Sequence, residues 1–344
     1  MSGVFREPID AARLKQEALS CGADLVGIAD GEQMNLHPPD PAKPMRPIDI
    51  TEYDWRRVIV IAKHLSNGAA RIPEWGSRTK FYNDELSLTL IEEASLELVC
   101  WLESLGYPAI ALPPTHTDPW RYQGDPGAPM SPLLSLPHAA VEAGLGTLGL
   151  NGQLLTPQYG PRVVLCAVLC SAEVECDRPM SAGLCRGPEC GRCVSACPAD
   201  AGRHWARDWR ACDEYRSPYG FARLTGHIDR ILAESDPAGR KALLRTETMF
   251  NLWQSILRGA GAITGCRRCA DVCPVGADYP EQLRDALGVI AEDTPAKAGR
   301  LAAMVRAEAA GSLPQSWEDQ RRWIGTLDYL APEAGSRGGG TGRT

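Results

Sequence analysis

No stretch of this chain is apolar for the roughly 20 residues that crossing a bilayer requires. The first residues, MSGVFREPIDAARLKQEA, carry neither an apolar leader nor a twin arginine, so the expected location is the cytoplasm. Positive charge is not in surplus either: 36 Lys and Arg stand against 43 Asp and Glu, a net charge of −7. That balance weighs against a broad phosphate-binding surface, and nucleic acid is not an expected partner. A strand is also missing where a dinucleotide site would need one. GLGTLG, Gly144 to Gly149, spells G-x-G-x-x-G, but pyrophosphate binding requires a strand into the first glycine and a helix out of the last. Here Ala-rich LPHAAVEA, a short helix by its pattern, comes before the glycines, and LNGQLLTPQYGPR, full of turn formers, comes after them. The order is backwards for NAD.

With 344 residues, 44% of them hydrophobic, the chain can build two domains. PIDAARLKQEALSCG predicts a helix closed by Gly22, and ADLVGIAD predicts the strand after it. WRRVIVIAKHL holds a second strand and PAIALP a third. Between them NDELSLTLIEEASLELVCWLESLG predicts a long helix starting near Asn83 or Asp84 and stopping at Gly106. This alternation indicates an α/β domain over the front of the chain. Residues 113–132, rich in Pro, Gly and Asp, predict a long loop, and GSRGGGTGRT predicts a flexible tail.

Cysteine is what the chain has in quantity: thirteen, of which eleven fall between Cys166 and Cys273. A reducing compartment excludes a disulfide framework, so they point to metal. CRGPECGRCVSACP sets Cys185, Cys190, Cys193 and Cys197 in C-x4-C-x2-C-x3-C-P, and CRRCADVCP sets Cys266, Cys269 and Cys273 in C-x2-C-x3-C-P. Two such runs resemble a bacterial two-cluster ferredoxin, in which the fourth cysteine of each run serves the other cluster. By that rule Cys185, Cys190, Cys193 and Cys273 hold one [4Fe–4S] cluster. Cys197, Cys266 and Cys269 hold the other with one further thiolate, for which Cys212 in DWRACDEYR is the choice. Zinc also takes four thiolates, but two x3-C-P endings favour iron–sulfur. Because four residues follow Cys185 where the ferredoxin run has two, Cys176 is a possible substitute. Cys21 and Cys100 read as buried apolar thiols. Cys166 and Cys170 share one strand face and, with Cys176, read first as packing and second as thiols beside a redox pocket.

LSLPHAAVEAGLGTLGLNGQLLTPQYGPRVVLCAVL, set just before that cysteine module, resembles the core of the epoxyqueuosine reductase and reductive dehalogenase superfamily. GADLVGIAD, RVIVIAKHL, LESLGYPAIALP and RACDEYR extend the similarity over residues 15–280. The resemblance implies a nitroreductase-like α+β domain over 8–175 that binds cobalamin. It also implies a ferredoxin-like domain over 176–285 with a helical insertion at 213–262, helices over 286–333, and a tail from 334. It assigns Gly144, Gly146, Gly149, Asn151 and Arg162 to corrinoid binding. Met130 stands where epoxyqueuosine reductases carry a proton-donating aspartate, Leu150 and Asn151 stand where they carry a lysine, and Cys170-Ser171 replaces a common Thr-Asp. These departures point away from the epoxyqueuosine reaction.

A cobalamin-dependent reductase of a small organic substrate needs a proton donor and cationic or amide groups for developing negative charge. Tyr82, His138, Tyr159 and Arg162 are the candidates, each with an ordinary structural alternative in packing or pairing. From Arg203 to Arg268, twelve Lys and Arg stand against seven Asp and Glu, which suits an acidic ferredoxin or flavodoxin as electron donor. Two other functions fit the same motifs: an electron-transfer or activating protein for another corrinoid protein, and a flavin-binding ferredoxin-like reductase.

Overall fold

The computed structural model describes residues 6–72, 77–113, 124–125, 132–258, 265–279, 283–284 and 288–325. Most of the 113–132 loop and all of the 335–344 tail lie outside them, as does Met130. The central sheet has four strands, β1 (Leu25–Asp30), β2 (Arg57–His64), β3 (Ala109–Leu112) and β6 (Val163–Cys170), in the order β1-β2-β6-β3. The expected strands are all present, yet every pairing is antiparallel. The alternating order therefore produces a mixed α and β fold without a parallel sheet. The connection from β1 to β2 shows why. Asp30 pairs with Arg57, so the chain leaves and re-enters at the same end of the sheet through the short helices Gly31–Leu36 and Pro47–Ile50. A parallel pair would need a crossover back along the face.

Both faces of the sheet are covered, which explains why RVIVIA reads as continuous rather than alternating hydrophobicity. Ile59, Ile61, Cys166, Val168 and Cys170 face the helices Ala11–Ser20 and Arg78–Ser104. Val58, Val60, Ala62, Leu165, Ala167 and Leu169 face the helix Leu136–Glu142, the glycine loop and the cysteine-bearing part of the chain. The long helix begins at Arg78, ahead of the expected Asn83 or Asp84. Tertiary contact extends it, because Lys80 and Phe81 in its first turn are fully buried. Cys100 is exposed rather than buried, since one helical step past buried Val99 turns it to solvent, and Cys21 is half-buried.

The glycine loop leads into a small hairpin of β4 (Thr147–Leu148) and β5 (Leu154–Leu155). A second hairpin, β7 (Gly202–Arg203) with β8 (Ala206–Arg207), follows the first cysteine run. Helices Trp209–Arg216, Phe221–Ala233, Pro237–Leu243 and Glu247–Arg258 come next. The helical insertion expected over 213–262 thus divides, and the stretch from Pro237 to Arg258 holds two helices rather than one. Thr246 breaks it, donating its hydroxyl to the Leu243 carbonyl and accepting the Met249 amide as a new cap. Helix Pro295–Ala309 and the short Gln315–Gln320 follow the second run. Among the described residues, no helix is long and apolar enough to cross a membrane.

Candidate metal centre

The segment TPQYGPR proves to be a cradle for the second cysteine run. Ala277 and Asp278 donate their amides to the Pro157 and Gln158 carbonyls at 2.9 and 2.8 Å. Gly160, at φ +55°, presses so close to the Val275 carbonyl that a side-chain carbon there would stand 1.9 Å from it. Arg162 completes the joint. It is fully buried, and its five donors go to Asp278 (3.1 and 2.7 Å) and to the carbonyls of Ala270, Cys273 and Val275 at 3.2, 2.8 and 2.8 Å. His64 also contacts Asp278 at 3.1 Å.

The glycine loop serves the first run in the same way. The Leu150 amide donates to Cys185 Sγ at 3.4 Å, and Thr147 Oγ1 accepts the Leu184 amide at 3.0 Å. A side-chain carbon at Gly146 would lie 1.9 Å from the Leu155 carbonyl, one at Gly144 2.7 Å from the Arg178 carbonyl, and one at Gly149 3.1 Å from the Leu155 side chain. These glycines are consumed by the approach of protein to protein.

The two runs meet through short helices, Arg192–Ser195 and Arg268–Asp271, which pack together and place Cys193 and Cys269 within them. Arg192 Nε reaches across to the Val272 carbonyl at 2.9 Å. Buried Lys297 donates to the carbonyls of Ser195, Cys197 and Glu292 at 2.7–2.9 Å, tying the helix Pro295–Ala309 to the first run.

The mutual influence of the thiols groups them. Burial pushes Cys193 well above the ordinary thiol range, with Cys269, Cys185, Cys273 and Cys190 adding to the rise. Cys273 is pushed up to about 11, by burial first and then by Cys185 and Cys190, with Arg162 opposing. Cys266 is raised by burial and by Cys269, Cys212 and Cys197, and Cys269 goes to about 12 by burial with Cys212 and Cys197 contributing. Cys212 is raised by burial, with Cys197 among its neighbours. Cys273 thus lies near Cys185, Cys190 and Cys193, and Cys197 and Cys212 near Cys266 and Cys269, with Cys193 and Cys269 influencing each other across the two groups. Cys176 feels Arg57, Asp30, Asp177 and Glu175 and none of these thiols. Cys166 and Cys170 lie beneath the long helix, both pushed by burial to about 11.

Eight thiols from two cysteine runs and Cys212 form a donor set of the kind that iron–sulfur clusters use. Half-buried thiols that raise one another's pKa give up protons when metal arrives, which is how a thiolate site loads. Among the described residues no three Cys, His, Asp or Glu side chains close on a single ion, whereas in a cubane each thiolate binds a different iron. Arg207 supplies the second observation. Its Nη2 is buried without a partner, while Cys269, Cys212, Cys193 and Cys197 are the thiols that most strongly favour its charge. A sulfur of a bound cluster would satisfy this donor.

A cavity of about 170 Å³ opens beside Cys266, walled by Leu65, Leu88, Leu154 and Val163 on one side and by Arg207, Arg216 and Trp209 on another. Asp84, which sequence reasoning missed as a site residue, lines it too and is buried. Burial raises its carboxyl to about 6, with Arg267 opposing and Asp271 adding. Arg267 contacts both Asp84 and Asp271, and Lys80 reaches Asp271 at 3.0 Å. The helical spacing of Lys80 and Asp84 was the signal that could have drawn attention to this pair.

The nominated catalytic residues lie elsewhere. Tyr82 is 47% exposed, and Tyr159 stacks on His64 with ring centroids 4.4 Å apart. His138 is held between Ser135 Oγ (2.6 Å) and Gln320 Oε1 (2.8 Å), and burial depresses it to about 4. None of these three, nor Arg162, lines the cavity beside Cys266. Asn151 pairs with Gln153 at 2.9 Å and gives its carbonyl to Arg207 at 3.1 Å. A corrin is larger than the ligands that fill pockets of roughly 300–1,000 Å³. The cavity beside Cys266 is smaller than that, and among the described residues Gly144, Gly146, Gly149, Asn151 and Arg162 make their contacts within the protein.

No protein-family model matches the chain. Over 242 residues it is 26% identical to a tetrachloroethene reductive dehalogenase of Dehalobacter restrictus, covering 58% of this chain and 40% of that protein. Over 62 residues it is 42% identical to an epoxyqueuosine reductase of Synechococcus sp., covering 18% of each. The resemblance to the epoxyqueuosine reductase and reductive dehalogenase superfamily is borne out. A solved reductive dehalogenase, described as suggesting a mechanism for B12-dependent dehalogenation, aligns with 96% of this chain and 39% of its own, at 18% identity and a TM-score of 0.49. The chain spans less than half the length of the dehalogenases it matches in this way.

Proposed function

We propose that the chain is an iron–sulfur reductase with two [4Fe–4S] clusters, passing electrons from an external donor to a small organic substrate in the cavity beside Cys266. The observation that supports this reading best is the gathering of eight thiols, with Cys273 near Cys185, Cys190 and Cys193, and Cys197 and Cys212 near Cys266 and Cys269; we assign the first four to one cluster and the second four to the other. On it, residues 8–175 are the substrate domain and 176–285 the electron-transfer domain, with the helices after 286 bracing the clusters. Bound clusters supply single electrons at low potential. The protein's part is to hold the thiolates, wall them from water and keep charge balanced. Lys80, Asp84, Arg267 and Asp271 do the last beside the second set, as two cations and two acids buried together.

The donor is an acidic redox protein of the ferredoxin or flavodoxin kind. Trp209, Tyr215, Phe221, Phe250 and Trp253 are exposed on the helices that follow the first run, in the stretch where basic residues outnumber acidic ones. A second reading, an activating protein that reduces another protein's corrinoid, is favoured by the small size of the cavity. Anaerobic purification and reconstitution with added hydroxocobalamin, followed by metal analysis, tests the proposal. We expect iron in both cluster sites and cobalt well below one per chain. A stoichiometric corrinoid would overturn the corrinoid-free site, and zinc in place of iron would overturn the reductase.

A further inference from the structure

Arg207 stands between the two cysteine sets, and nothing in the motifs accounts for it. It ends the hairpin strand β8, one residue ahead of Asp208, which accepts the Ala211 amide at 3.0 Å and so caps the helix that carries Cys212. Its side chain is fixed on three sides. Nε donates to the Asn151 carbonyl at 3.1 Å, the guanidinium lies over the Trp209 ring at 4.7 Å from its centroid, and Nη1 stands 4.0 Å from Cys212 Sγ. Nη2 is buried without a protein partner. Asp213 feels the charge of Arg207, but the two form no ion pair among those described. Of the four thiols that weigh most on Arg207, Cys269, Cys212 and Cys197 belong to the second set and only Cys193 to the first.

On the two-cluster reading above, we propose that Arg207 is a positioning residue that sets the potential of the second cluster above that of the first. A guanidinium stays charged under all ordinary conditions and offers planar N–H donors. A fixed cation stabilises the reduced, more negative form of a nearby cluster, and N–H donors to sulfur act in the same direction. Both effects fall with distance, so the set that holds Cys212, whose sulfur stands 4.0 Å from Nη1, gains more than the other. With both clusters bound, Arg207 would favour an electron from the external donor resting on the second set rather than on the first. The second cluster is the one beside the cavity, since Cys266 lines it. Arg207 thereby makes the substrate side the resting place of the electron.

The test uses the full chain, reconstituted anaerobically, with iron counted in every sample and dithionite titrations followed by paramagnetic resonance. Arg207→Gln should keep both clusters and move the midpoint of the second to more negative potential, several-fold further than that of the first. Arg207→Lys, which keeps the charge, should preserve the wild-type order. Equal shifts of both midpoints, a shift of the first alone, or no shift would overturn the proposal. If the glutamine variant does not assemble, electron–nuclear double resonance on the reduced wild-type second cluster reads the same contact. A strongly coupled exchangeable proton is expected there, and its absence would overturn the assignment. Wild-type protein that takes up fewer than two cubanes sinks both this inference and the two-cluster reading. Two cubanes with unmoved midpoints sink only this one.

Discussion

Replacing Arg162 with methionine should damage the cluster assigned to Cys185, Cys190, Cys193 and Cys273, because Arg162 holds the Cys273 carbonyl 111 residues further along the chain. The guanidinium satisfies three carbonyls of the second run and both oxygens of Asp278, and it is completely buried. Methionine fills much of the volume but leaves the Asp278 carboxylate, among the described residues, with His64 at 3.1 Å. Removing one partner of a buried ion pair costs about 3–5 kcal/mol, and the orphaned carbonyls keep the estimate at the upper end. Urea unfolding under anaerobic conditions measures the loss. The location of the damage tests the reasoning more sharply than its size. The loosened loop carries Cys273, which is grouped with Cys185, Cys190 and Cys193, so chelator should strip iron first from that cluster. Arg162→Lys should recover part of the stability. A loss under about 1 kcal/mol, or faster bleaching of the other cluster, would refute the cradle.

Other outcomes follow from the same contacts. Burial would raise the Asp278 carboxyl, but His64 and Arg162 outweigh it and hold it at about 2. Set against an unfolded value near 3.9, that contributes about 2.5 kcal/mol. The stabilisation is full above pH 4 and lost as pH falls through 2, and Asp278→Asn should flatten that part of the acid-unfolding curve. Cys100, exposed on the long helix, should be alkylated in native protein, whereas Cys166 and Cys170 should react only on unfolding; mass spectrometry of labelled peptides decides this. Gly146→Ala would drive a carbon to 1.9 Å from the Leu155 carbonyl and should cost about 3 kcal/mol, read as a lowered melting temperature with weakened binding of the first cluster.

The parts most legible in sequence were those governed by local rules. The strands of the central sheet announced themselves as apolar runs, and Gly22 and Gly106 mark the ends of their helices with φ of +111° and +88°. The two cysteine runs were legible because cluster ligation depends on spacing. Strand direction was not, since it follows from where a connection returns to the sheet. The start of the long helix was hidden because Lys80 and Asp84 owe their burial to Arg267 and Asp271, nearly two hundred residues later. Arg162 and the glycine loop were legible as special, but their contacts within the protein were not. A motif shows that backbone must come close at Gly160 or Gly146, and only coordinates tell what approaches. Arg207 and Asp84 carried no motif, since neither spacing nor composition distinguishes a cation or acid facing a cavity from one facing solvent.

The central claim is that two crossed cubanes occupy this chain, and Cys273→Ser tests it most directly. Iron analysis with paramagnetic resonance of the reduced protein should find about eight irons in the wild type, as two cubanes require. In the variant the signal of the cluster held by Cys185, Cys190 and Cys193 should be altered or lost, and the signal of the cluster held by Cys197, Cys212, Cys266 and Cys269 should be kept. Four irons in the wild type, or a variant that loses the second signal and keeps the first, would contradict the account.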